Sequence, residues 1–339
     1  MEIDAEFHGG ISALVDNPQI ATITEYVTRL TVPSRLDAIC KVIEKGEVAH
    51  FAELHREILE VISKREKDKI VQTVAPVSAA DTEINPRKIA DDVIECWKLG
   101  ASMVHLHVRD AHGKLTPDMK LMDETIKYIR EACDIVVEIS TGGVSDLTIK
   151  ERVQPCYASY TEAVSLNVGS VNLGKSVYKN PIEDVEYCVG ELIREDKRPE
   201  IEVFELGMIN TVRELDEKFH FVDPILFALV FGHGGEMPAT ENALRHMKEY
   251  LYETFPDDGK VLWGYTEANR KDLKMVRKAL DMGAVSLRLG FEDSNYLENG
   301  VQCKTNAELI KAAAELLREK DMEPMTPDEV RQMLKIKAL

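Results

Sequence analysis

The sequence predicts an α/β fold, a parallel (β/α)8 TIM barrel carrying an N-terminal helical extension. Three observations carry this prediction. Eight short β-rich runs alternate with longer runs of helical period from residue 69 onward. They recur at roughly 30 residues per unit, the length of a strand, a helix and their turns. No Gly-x-Gly-x-x-Gly follows an early strand, which weakens the alternative of a dinucleotide-binding, doubly wound sheet.

Taken from the N-terminus, residues 1–68 stand outside the repeat. Helical periodicity runs over 20–30, 36–45 and 51–64, with Pro33 breaking the first two apart. Such an extension suits a cap over one barrel end or a subunit contact. The barrel is expected over 69–339, with strands at 69–77, 104–108, 135–140, 163–167, 200–204, 224–230, 261–264 and 284–290. Amphipathic helices are expected at 86–99, 118–132, 181–195, 240–255 and 269–282, and 306–317 follows the eighth strand. The Thr-Pro-Asp-Glu start at 326 supplies an N-cap and a first-turn proline, so a final helix is expected over 326–334.

Composition narrows the class of function. Apolar residues make up 44% of the chain, enough for a sizeable core, yet no apolar run is long enough to span a membrane. Sixty acidic residues against 42 basic ones give a formal charge of -18, which argues against nucleic-acid and anionic-membrane partners. An anionic substrate must therefore meet a locally basic or metal-bearing pocket. Cys40, Cys96, Cys133, Cys156, Cys188 and Cys303 are scattered, without a Cys-x-x-Cys pair, and the first ten residues do not read as a secretion signal. Reduced thiols and a cytoplasmic location are expected.

The second strand holds the first candidate chemistry. It reads Val104-His105-Leu106-His107-Val108-Arg109-Asp110, and alternation puts both imidazoles on one face with the apolar residues on the other. If the apolar set meets the helices, His105 and His107 point into the barrel, where they make half of a metal site or two hydrogen-bonded core histidines. In the eighth strand Gly290 and Glu292 are in phase with Arg288. Strand 8 adjoins strand 1 in a closed barrel, so Glu292 comes near the histidines. A His2Glu shell of this kind suits a catalytic zinc, whereas an Arg288–Glu292 ion pair is the structural alternative.

Further polar residues repeat the pattern. Glu138 and Ser140, Ser165 and Asn167, and Glu200 and Glu202 form in-phase pairs on strands 3, 4 and 5. Polar groups inside a barrel need partners, either each other or a ligand. Gly232-His233-Gly234-Gly235 follows the sixth strand; it either lets backbone approach a ligand or makes a turn.

The segments at 105–110, 139–143 (Ile-Ser-Thr-Gly-Gly), 165–174, 199–207 and 288–293 (Arg-Leu-Gly-Phe-Glu-Asp) together resemble the β-keto acid cleavage enzyme family. The resemblance spans about 69–334 with its motifs in order. It implies a zinc-dependent enzyme that combines a β-keto acid with acetyl-CoA to give acetoacetate and a new acyl-CoA. It also implies that His105, His107 and Glu292 hold Zn2+, that Asp293 is the general base beside Arg288, and that Ser140, Ser165 and Glu202 line the substrate pocket. A homo-oligomer, often a tetramer, goes with it.

Two departures mark this chain. Ala80 stands where relatives acting on an amino-bearing keto acid carry a glutamate, with Asp81 one position later, so a substrate lacking an amino group is expected. Glu267-Ala268-Asn269-Arg270 replaces a Gly-rich segment after strand 7, and the strand 6 loop carries Glu236, which points to a remodelled mouth. The competing functions are a zinc-dependent aldolase or hydrolase that does not use CoA, and a non-catalytic, metabolite-binding barrel.

Overall fold

The structure is a computed structural model that describes residues 67–78, 80–256 and 259–337; the helices expected at 20–30, 36–45 and 51–64 lie outside them. Strands β1 (Asp68–Val74), β2 (Met103–Leu106), β3 (Val136–Ser140) and β4 (Ala163–Asn167) open the barrel. A small hairpin follows, β5 (Val171–Leu173) and β6 (Ser176–Tyr178), before β7 (Arg198–Val203), β8 (Ile225–Phe231), β9 (Val261–Glu267) and β10 (Ser286–Leu289). β1 pairs in parallel with both β2 and β10, which closes the eight long strands into a ring. A ninth segment, β11 (Met322–Pro324), adds to the start of β1.

The helices between strands are α1 (Pro86–Lys98), α2 (Lys120–Arg130), α3 (Ile149–Arg152), α4 (Ile182–Arg194), α5 (Leu206–Phe219), α6 (Glu241–Thr254) and α7 (Lys274–Asp281). After β10 come α8 (Asn306–Glu319) and α9 (Pro327–Leu334). Their starts follow the capping chemistry of the sequence. Asn85, Thr240, Thr305 and Thr326 each accept a backbone N–H of the first turn, and Pro86 and Pro327 fill positions whose missing N–H costs nothing.

The barrel interior changes character along its axis. At the strands' N-terminal ends Val71, Met103, Val136 and Leu226 form one buried cluster with Val330 and Leu334 of α9, so the last helix closes this end with apolar side chains. Two residues further along the same strands stand Thr73, His105, Glu138 and Ala228, in phase with the cluster by the period-2 alternation. Glu162, 3% exposed, ties α9 in place: it accepts from Arg130 at 2.7 Å and from Arg331 at 2.5 Å.

Several boundaries differ from the sequence reading. β2 ends at Leu106 and β10 at Leu289, so His107, Gly290 and Glu292 lie beyond their strands, in the loops of the C-terminal rim. α7 starts at Lys274 because Asn269 takes a left-handed φ of 57°, where a continuous helix cannot run. The β5–β6 hairpin, α3, α5 and β11 are elements that the expected strands and helices did not include.

Candidate active site

His105 sits on the last turn of pleat in β2 and is 1% exposed. Its Nδ1 lies 2.5 Å from Oε1 of Glu138, a fully buried side chain on the adjacent strand β3. His107 continues the same face past the end of β2, and its Nδ1 lies 3.2 Å from the carbonyl oxygen of Gly142. A carbonyl only accepts, so this Nδ1 carries the proton and Nε2 carries the lone pair. Gly142 has to be glycine: a Cβ there would lie 1.4 Å from the hydroxyl of Tyr178 in β6.

Glu292 reaches the same point by a turn rather than by strand alternation. The N–H groups of Asp293 and Ser294 both donate to the Gly290 carbonyl, and the Glu292 N–H donates to Ala75 of β1's continuation at 3.1 Å. Gly290 permits this crossing, since a Cβ would meet the Ala75 carbonyl oxygen at 2.0 Å. Glu292 Oε1 then lies 3.2 Å from His107 Nε2 and 3.5 Å from His105 Nε2, while the two Nε2 atoms are 3.2 Å apart. All three donor atoms fall within 4.8 Å of one another.

This donor set fits a metal ion. Two imidazoles whose Nδ1 atoms are engaged from behind turn their Nε2 atoms toward each other and toward a carboxylate oxygen. A metal ion suits three such ligand atoms at that spacing, and Arg288 Nη1 also lies 3.3 Å from His105 Nε2. The electrostatics agree: burial and Arg288 lower the His105 pKa, yet Glu292 and the Glu138 hydrogen bond outweigh them and hold it at about 10. Glu292 itself lies well below the ordinary carboxylate range, because His107, His105 and Arg288 overcome the effect of burial. The three ligand candidates therefore surround a position that favours positive charge.

Arg288 organises the rest. It points inward from β10 and binds Asp293 with two hydrogen bonds, Nε to Oδ2 at 3.1 Å and Nη2 to Oδ1 at 2.7 Å. Nη1 also donates to Glu202 at 3.1 Å and Nη2 to Glu292 at 3.3 Å. Asp293 is held on the other side by its backbone, which accepts the Asn269 N–H at 2.8 Å. Glu200 lies deeper in the barrel; burial, then the charge of Glu138, push its carboxyl well above the usual range.

Above these groups opens a cavity of about 540 Å³ whose floor includes His107, Ser140, Glu202, Arg288, Glu292 and Asp293. Ser140 accepts the Gly142 N–H at 3.1 Å and the Ser165 hydroxyl at 3.0 Å. Ser165 thus stands behind Ser140, 1% exposed, and supports it rather than lining the cavity. Asp81 is turned onto its own loop, where it accepts the Ser78 N–H at 3.0 Å. Arg270, 3% exposed, donates to the Ser294 and Tyr296 carbonyls, so it braces the loop after β10 instead of facing the cavity.

The sequence reading missed two contributors. Glu138 is the residue behind His105, and only its phase with Ser140 hinted at an inward position. Tyr178 comes from the hairpin, whose Gly174-Lys175 turn between two β-rich tripeptides was the available signal.

A family model described as beta-keto acid cleavage enzyme matches residues 74–336 of the chain. The 3-keto-5-aminohexanoate cleavage enzyme of Fusobacterium nucleatum is 33% identical over 279 residues, covering 80% of this chain and 99% of that protein. The 3,5-dioxohexanoate:acetyl-CoA acetone transferase of Paraburkholderia graminis is 27% identical over 309 residues, covering 80% of this chain and 97% of the relative. Among solved structures, a ternary complex of ObcA with a C4-CoA adduct and oxalate superposes with a TM-score of 0.64 at 18% identity. That match covers 75% of this chain and 67% of the other, and it supports the barrel fold.

Proposed function

Since the chain belongs to the beta-keto acid cleavage enzyme family, we propose that it exchanges the acyl group of a β-keto acid with acetyl-CoA at a zinc ion. The products are acetoacetate and a new acyl-CoA. Relatives named as acetyl-CoA-dependent transferases of 3,5-dioxohexanoate and 3-oxoadipate support this reading. The observation that carries it is the convergence of His105, His107 and Glu292 beside a carboxylate, Asp293, clamped by Arg288.

Zinc held by His105, His107 and Glu292 would stabilise negative charge developing on the oxygens of the keto acid. Asp293 is the base that takes the proton from the carbon between the keto and carboxylate groups. Its two bonds to Arg288 fix both oxygens, so the lone pair it uses has a defined direction. The carbon so freed forms a bond to the acetyl carbonyl and expels the thiol of CoA as thiolate. That sulfur then attacks the keto carbonyl, the old carbon–carbon bond breaks, and Asp293 returns its proton to acetoacetate. Ser140 offers a hydroxyl to the substrate carboxylate, Ser165 holds that hydroxyl in place, and Glu202 keeps Arg288 aligned.

The substrate is a keto acid without an amino group. The carboxylates lining the cavity are Glu202, Glu292 and Asp293, and all three bond to Arg288. None is left to receive an ammonium, Ala80 offers no charge, and Asp81 is occupied by Ser78. The test is a panel of β-keto acids with the zinc-loaded protein, scored by acetoacetate released with and without acetyl-CoA. Release only with the thioester, and faster for neutral or oxygen-bearing acids than for an amino one, is expected. Cleavage without acetyl-CoA would instead favour an aldolase or hydrolase, and a protein without stoichiometric metal would favour a metabolite-binding barrel.

A further inference from the structure

Around the ring of strands, β8 stands four places from β2 in either direction, so the loop after β8 faces the imidazole pair across the mouth. This loop carries His233, which lines the same cavity, and Glu236, whose side chain is fully buried. Glu236 Oε1 accepts the backbone N–H of His233 and lies 3.2 Å from its Nδ1. Oε2 is buried and bonds to no group among the described residues. The loop is pinned on both flanks: the Gly174 N–H of the hairpin donates to Gly234 at 2.6 Å, and the Met237 N–H to Phe204 at 3.4 Å. The ring of Phe204 lies 5.8 Å from the imidazole, centroid to centroid.

Burying a carboxylate with one oxygen unpartnered is costly unless its charge does something. Burial tends to raise the Glu236 pKa, but the hydrogen bonds from His233 bring it below the ordinary range, so the group is an anion. That anion holds the Nδ1–H of His233 and turns Nε2 toward the cavity, where it can carry the second proton of an imidazolium. A carboxylate behind one imidazole nitrogen, with the other nitrogen facing a reaction space, is the arrangement of an acid–base group.

We infer that His233, oriented by Glu236, carries the proton of the CoA thiol during the exchange. The inference rests on the function proposed above. A keto acid bound at the imidazole pair leaves the facing wall for the acetyl thioester, and that wall, Leu173, Tyr178, Phe204 and Val230 beside His233, suits an uncharged thioester arm. His233 enters this step as an imidazolium, so when the carbon–sulfur bond breaks, its electron pair stays on sulfur and the Nε2 proton moves there, leaving a neutral imidazole. In the return step Nε2 takes the proton back, sulfur forms its bond to the keto carbonyl, and the electrons of the broken carbon–carbon bond go to the acetoacetate carbon, which Asp293 reprotonates. No oxidant or reductant is needed. The titratable groups around the imidazole are Glu236, Glu205, Glu202 and Tyr178.

His233→Ala and Glu236→Gln test this in the zinc-loaded enzyme with acetyl-CoA and the best keto acid of the panel. His233→Ala is expected to keep wild-type zinc stoichiometry, to lose about 100-fold in turnover, and to recover about tenfold when imidazole is added to the buffer. Glu236→Gln keeps an acceptor oxygen but not the charge; it is expected to lose less and to move the pH–rate profile to lower pH. Turnover of His233→Ala within about threefold of wild type, or a loss that imidazole does not relieve, overturns the assignment. If the wild-type protein releases no acetoacetate with any keto acid, the proposed function fails and takes this inference with it; an active wild type with an indifferent His233→Ala removes the inference alone.

Discussion

Glu138 lies 2.5 Å behind His105, in the position where a carboxylate sets the orientation and basicity of a metal-binding imidazole. Glu138→Gln keeps the size of the side chain but removes the charge. Zinc affinity is expected to fall about 10- to 100-fold, read by competition with a chromophoric chelator; unchanged affinity would mean His105 does not ligate. Asp293→Asn separates metal from chemistry. It should retain one zinc while turnover drops by about 10²- to 10⁴-fold, and full activity would remove Asp293 from the role of base. How far these residues were legible differs with the force that places them. His105 and His107 follow from alternation along one strand, a local property. Glu292 was in phase only on paper: β10 stops at Leu289, and the turn that delivers Glu292 depends on Gly290 passing the Ala75 carbonyl. The contact of Glu138 with His105 depends on the β2–β3 register, which a single sequence does not print.

Elements with local start signals were read closely, and those shaped by neighbours were not. α9 illustrates the first kind: Thr326, Pro327 and Glu329 form a capping box, in which Glu329 accepts the Thr326 N–H at 2.8 Å and the hydroxyl at 3.0 Å. Lys69 of β1 also binds this carboxylate. The Lys69 hydrogen bond, then that from the Thr326 N–H, lower the Glu329 pKa below its ordinary value. A depressed carboxylate pKa contributes stability that is present above the unfolded value, and it is lost as pH falls through the folded one. Glu329→Gln should therefore cost about 1 kcal/mol at pH 7, roughly 2 °C in Tm by calorimetry, with the gap to wild type closing as pH falls below the ordinary carboxylate range. A gap that persists in acid would show the cap acting by shape alone. The β5–β6 hairpin is of the second kind. Its strands are three residues each, too short for a periodic signal, and their value lies in placing Tyr178 against Gly142.

Across the whole molecule, stability and chemistry are separated along the barrel axis. The strands' N-terminal ends meet Val330 and Leu334 in an apolar cluster, and the polar residues of the same strands gather at the opposite rim. The acidic surface, with its charge of -18, leaves attraction of an anionic keto acid to the cations gathered at that rim. Leu334, 4% exposed, offers a way to test the separation. Truncation to alanine removes packing against the cluster and leaves a cavity, a change that costs about 2–5 kcal/mol for a buried leucine. The backbone carbonyl of residue 334, which accepts from Arg198 at 3.2 Å, is untouched by the substitution. Leu334→Ala should therefore lower Tm clearly while zinc stoichiometry and turnover stay at wild-type levels at temperatures where the protein is folded. His105→Ala should do the reverse, losing zinc and turnover with a smaller effect on the apolar end. If folded Leu334→Ala loses zinc in proportion to its loss of stability, the two ends are coupled through the strands, and the polar rim depends on the packing beneath it.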